Sequence, residues 1–118
     1  MKYILLMYHT EGVFTQEELP KEMQYSIGLC EELVAKGQFA GASPLQTIST
    51  ATSLTAKSGR TEVRDGPFAE TKEQLGGYVI VDVPNLDEAI AIAEKFPAAK
   101  RGTVEIRPLF PLEGIPVA

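Results

Sequence analysis

Leu75-Gly76-Gly77-Tyr78-Val79-Ile80-Val81-Asp82-Val83 reads as a strand with no consistently polar side. Successive side chains of an extended chain alternate between faces, so Val79, Val81 and Val83 share one face and Tyr78 and Ile80 the other. Met1–Tyr8 repeats the pattern, with Tyr3, Leu5 and Met7 opposed to Ile4, Leu6 and Tyr8. A strand apolar on both faces has to be covered on both, which makes these two the expected centre of a sheet.

Helical spacing appears between and after them. Met23, Ile27, Cys30 and Val34 recur as one stripe, with Pro20 suited to a first turn and Gly37 to a stop. Thr15 and Glu18 have capping-box spacing, and Pro20 so close behind them predicts a separate short turn there. Phe39–Pro44 reads as a Gly/Ser/Pro-punctuated connection. The β-branched run Thr47–Lys57 predicts a ribbon that turns at Ser58–Gly59 and returns through Thr61–Arg64. Asn85 caps a second helix with the stripe Leu86, Ala89, Ile90, Ala93 and Phe96, ended by Pro97. Thr103–Arg107 alternates as a half-exposed edge strand, and Leu109–Ala118 is an apolar tail expected to lie against something.

The order β-α-β-β-α-β predicts an α+β fold of ferredoxin-like type, an antiparallel sheet with two helices across one face. The other sheet face is then open, yet both central strands are apolar on it. A second copy packing sheet against sheet is the expected cover, so a homodimer is predicted; a larger hairpin folding back within one chain is the alternative.

Composition narrows the function. The 118 residues suit one domain, 1–118, and 44% hydrophobic with 23% charged residues is ordinary for a globular chain. Eleven basic against sixteen acidic residues, net charge −5 and no basic cluster argue against direct nucleic-acid binding. The apolar run Met1–Tyr8 is broken by Lys2 and too short for a bilayer span or signal peptide, which predicts a cytoplasmic protein without membrane contact. Cys30, the only cysteine, excludes an internal disulfide and a cysteine-rich metal site, and its place on the helical stripe reads as a buried structural thiol. No phosphate loop, nucleophile elbow, metal-binding helix or dinucleotide fingerprint occurs, so no cofactor and no metal are expected.

The segment Val63-Arg64-Asp65-Gly66-Pro67-Phe68-Ala69-Glu70-Thr71-Lys72-Glu73-Gln74-Leu75-Gly76-Gly77-Tyr78 resembles the signature of the DGPF branch of the YCII-related proteins. Met1–Tyr8, Pro84–Pro97 and Gly102–Pro108 resemble that family's opening strand, closing helix and closing strand. The resemblance implies a dimeric α+β barrel. Many DGPF proteins resemble products encoded beside extracytoplasmic-function sigma factors, which implies a regulatory setting. Some YCII members resemble acid–base enzymes built on a His–Asp pair with the His on the first helix. No His stands there in this chain, so that pair does not carry over.

The candidate chemistry lies at the strand ends and in the signature loop. His9, the only histidine, follows the first strand and can transfer protons near neutral pH, or it is a solvent-facing loop residue. Asp65 either acts in a site or fixes the Asp-Gly-Pro turn through its own backbone. With Glu70 these form the catalytic candidates; Phe68, Lys72 and Tyr8 are the ligand-binding candidates. Gly76 and Gly77 within an apolar strand allow a bulge or the close approach of another group. Two functions fit: a small molecule bound or transformed in a cleft by acid–base chemistry, or a non-catalytic regulatory or interaction protein tied to a sigma-factor system.

Overall fold

The computed structural model describes residues 1–116, and within them the two strands apolar on both faces lie side by side at the centre of a four-stranded antiparallel sheet. In chain order the elements are β1 (Lys2–His9), α1 (Glu18–Ala35), β2 (Phe39–Pro44), β3 (Thr52–Lys57), β4 (Arg60–Asp65), β5 (Gln74–Asp82), α2 (Leu86–Ala93), α3 (Pro97–Arg101) and β6 (Thr103–Pro108). The sheet order is β2-β5-β1-β6, while β3 and β4 pair only with each other. Leaving that ribbon aside, the connectivity is the ferredoxin-like one.

Two strand assignments differ from the expectation. Phe39–Pro44 is not a connection but the edge strand β2, paired with β5 from Phe39↔Val81 to Pro44↔Gly77. The ribbon, expected to supply a strand of the sheet, is instead an insertion between β2 and β5, and a 3-10 turn at Ile48–Thr50 precedes it. Its own turn is as read: Ser58 and Gly59 both have positive φ, 50° and 76°, as a two-residue type I′ hairpin requires. The ribbon packs on the other elements only marginally, so it does not fold back as a cover.

All the helices bury residues against one sheet face. Tyr3, Leu5, Val79, Val81 and Val83 meet Leu29 and Leu33 of α1 and Ala89, Ala93 and Phe96 of the α2 segment. The core stripe of α1 is thus Leu29 and Leu33; of the expected stripe only Cys30 packs, half-buried, against that core, while Met23, Ile27 and Val34 are exposed and face a gap. The Thr15–Glu18 box closes in both directions, at 3.0 and 3.1 Å, and Leu19 N–H bonds Thr15 O, so it feeds directly into α1 without a separate turn. Asn85 caps α2 as expected, accepting from Glu88 N–H at 3.0 Å. Pro97 ends α2 but also opens the short α3.

On the opposite face Ile4, Leu6, Tyr8, Tyr78 and Ile80 remain half-buried. The tail follows β6 through Leu109 N–H to Lys2 O, after which Phe110, Leu112 and Ile115 are exposed; its last two residues lie outside the described ones. No helix among the described residues is long and apolar enough to cross a membrane.

Candidate functional site

Helix α1 touches the sheet along Leu29 and Leu33, and the neighbouring face of the helix, from Leu19 to Val34, borders open space. A cavity of about 490 Å³ opens there, within the range of small-molecule sites. Met23, Ile27, Cys30 and Val34 form the helical wall, Met7, Ala42 and Val79 the sheet floor, and Phe14, Phe39 and Phe96 the ends. The stripe read as core is therefore the wall of a cavity. Polar groups are few: His9, Glu22, Ser26, Glu31 and Ser43, with the Tyr78 segment at the floor. Cys30 is half-buried rather than buried, and desolvation pushes its thiol up from the ordinary value, which favours the unreactive protonated form.

His9 lies on this wall, at the end of β1. The pairing of β1 with β5 shifts between Met7 and Tyr8, from Met7↔Gly77 to Tyr8↔Leu75, so Gly76 is the extra residue of a bulge. The imidazole fills the space left there: a Cβ on Gly76 would stand 2.5 Å from His9 Nε2. The ring meets the Phe14 ring edge to face, with centroids 5.5 Å apart and planes at 77°. His9 Nδ1 lies 3.3 Å from Thr10 O.

The other candidates are not gathered around it. Asp65 ends β4, exposed, and its side chain has no hydrogen-bond partner among the described residues; the turn is instead held by Gly66 N–H to Ala51 O and by Ser53 Oγ to Gly66 O, both 2.7 Å. Phe68, 83% exposed, projects from the loop, and Glu70 and Lys72 are exposed beside it. The loop reaches the His9 end of the sheet through other groups. Thr10 Oγ1 donates to Lys72 O at 3.3 Å, Gln74 Oε1 accepts from Glu11 N–H at 3.1 Å, and Glu11 Oε2 accepts from Ile48 N–H at 2.7 Å. Tyr8 points to the opposite sheet face, where its hydroxyl donates to Glu105 at 3.3 Å; desolvation and then the Glu105 charge raise its pKa. Phe14 and Arg101 escaped the sequence reading, since nothing in their local pattern ties them to His9.

Known proteins resemble this chain in sequence or in fold. The YCII-related domain profile matches residues 1–113. An uncharacterized protein of Rhizobium meliloti (strain 1021) is 36% identical over 114 residues, covering 92% of each chain. The 5-chloro-2-hydroxyhydroquinone dehydrochlorinase of Burkholderia phenoliruptrix AC1100, solved in complex with 2,5-dihydroxybenzoquinone, aligns with a TM-score of 0.54 over 93% of this chain and 94% of that one, at 16% identity. That last likeness is one of fold. The match along 113 residues and the 36% identity establish that the chain belongs to the YCII-related family.

Proposed function

We propose that the protein binds an apolar small molecule between α1 and the sheet and transforms it by proton transfer, with His9 accepting and returning the proton. The observation that carries this reading is the coincidence of the largely apolar 490 Å³ cavity with the chain's only histidine on its wall. An imidazole bordering an apolar site can take a proton from a bound molecule and return it. A dehydrochlorinase for a chlorinated hydroxyhydroquinone has the same fold, which supports a compact ring compound as the class to try first. Asp65, Glu70, Phe68 and Lys72 enter the proposal as groups acting on whatever part of a ligand projects from the cavity, because their loop is tied to the same end of the sheet.

The segment Val63–Tyr78 supports the finer assignment to the DGPF branch, and with it a homodimer in the cytoplasm. Half-buried apolar residues on the open sheet face support the dimer, and Tyr8 belongs to that interface rather than to the cavity.

Titration with catechol, hydroquinone and 2,5-dihydroxybenzoquinone, while following modification of Cys30 by a thiol reagent, tests the reading. At least one compound should bind and slow the modification, because Cys30 lines the cavity. Ile27→Trp should fill the space and weaken binding by about tenfold or more. His9→Gln should keep binding and lose turnover. Failure of every ring compound to bind or to protect Cys30 would refute the proposal.

A further inference from the structure

The imidazole of His9 is held from several sides, and one residue far away in sequence secures the holders. Arg101, the last residue of α3, places its guanidinium carbon 5.0 Å from the centre of the Phe14 ring. The same group donates through Nη1 to Glu18 Oε2 at 3.1 Å and through Nη2 to Val13 O at 2.5 Å. Stacking on an aromatic face while donating in two directions suits a planar guanidinium and not an ammonium. Phe14, so held, packs edge to face with His9. Across the ring, Nε2 rests in the notch left by Gly76 and has no hydrogen-bond partner among the described residues.

From this we infer that Arg101 and Phe14 are positioning residues, which keep neutral His9 in the tautomer that carries its hydrogen on Nδ1. A carbonyl oxygen only accepts, so the 3.3 Å contact of Nδ1 with Thr10 O is a hydrogen bond only in the tautomer with its hydrogen on Nδ1, which has the lone pair on Nε2. A neutral imidazole free in water prefers the opposite arrangement. The site thus sets which nitrogen acts as the base before any ligand arrives. The inference deepens the proposed function and rests on it for its catalytic meaning, but the tautomer itself is a property of the ligand-free protein.

Nitrogen-15 spectra of the imidazole decide the matter, and with a single histidine the signals need no assignment. At a pH where the ring is neutral, the ratio of the Nδ1–H to the Nε2–H form should exceed that of free imidazole by about fivefold, the shift that one hydrogen bond of ordinary net strength supports. Phe14→Leu and Arg101→Lys should each move the ratio toward that of free imidazole, with backbone amide signals of β1, β5 and β6 unchanged. A wild-type ring already at the free-imidazole ratio overturns the inference without recourse to any variant. So does an unchanged ratio in Phe14→Leu, which removes the aromatic contact even if Arg101→Lys fails to fold. A fixed tautomer in a protein whose cavity binds none of the ring compounds would refute the proposed function and leave this inference standing; a free tautomer with binding intact would do the reverse.

Discussion

Gly76 and Gly77 adjoin in β5, and each omits a side chain for a different neighbour. A Cβ on Gly77 would lie 3.0 Å from Ser43 O and 3.1 Å from Pro44 Cα, the backbone of β2, whereas on Gly76 it would meet the His9 ring. Gly76→Ala is therefore expected to destabilise the protein by about 1–3 kcal/mol, the usual cost of overpacking, and to displace the imidazole. Adding His9→Ala should restore most of that loss, because the obstacle is a side chain; the same addition should not rescue Gly77→Ala. Urea unfolding of Gly76→Ala, Gly77→Ala, His9→Ala and the two double variants, taken as two double-mutant cycles, gives the answer, and equal rescue at both glycines would contradict it. The glycine pair itself announced a bulge or a close approach in the sequence. Its partners did not, since His9 and Ser43 reach it only through the pairings of β1 and β2 with β5. His9 was legible as a strand-end histidine, but its cavity is a gap between distant elements and leaves no local pattern.

The segment leading into α1 joins the reciprocal Thr15–Glu18 bonds to Arg101, and this gives it a dependence on pH. Thr15 backbone N–H, and after it the Arg101 guanidinium, hold the Glu18 carboxyl below its usual value. A carboxyl whose pKa is lower folded than unfolded stabilises the fold above its unfolded pKa, and that contribution disappears as pH falls through the folded value. Glu18→Gln should accordingly be less stable than the wild type at neutral pH, and the two should converge below the ordinary carboxylate range. Unfolding midpoints measured over a pH series check this, and a constant difference between the proteins at all pH values would contradict it. The elements differ in how far their sequences reveal them. β1 and β5 declare themselves by apolar residues on both faces, and the ribbon by Ser58–Gly59. β2 is hidden because Phe-Ala-Gly-Ala-Ser-Pro has little strand preference and pairs as an edge only when β5 is there to receive it. In α1 two apolar stripes run side by side, and periodicity alone does not say whether Leu29 and Leu33 or Ile27 and Cys30 take the core.

A compact chain of this length has a radius of gyration of about 13.5 Å. The protein reaches 16.1 Å, with extents of 48 × 43 × 22 Å, because the ribbon projects from the main sheet. Leu54 and Val63 on the ribbon are 67% and 60% exposed, and Ile4 and Ile80, paired with each other, stand half-buried on the open face of the sheet. A second copy laid on that face is expected to cover both. Sedimentation equilibrium at micromolar concentration should show a dimer, and Ile80→Lys should weaken it by about tenfold or more, since it places an unpaired charge in the contact. A wild-type protein of monomer mass would rule the dimer out. The central place of β1 also governs how the chain can be made. During synthesis this strand leaves the ribosome before both its partners, β5 and β6, which lie in residues 74–108. Long-range pairing of this kind closes late. β1, apolar on both faces, must therefore stay unpaired until β5 has been made, so it is a segment a chaperone has reason to hold, and a ribosome stalled before β5 should yield a nascent chain that cannot complete its sheet.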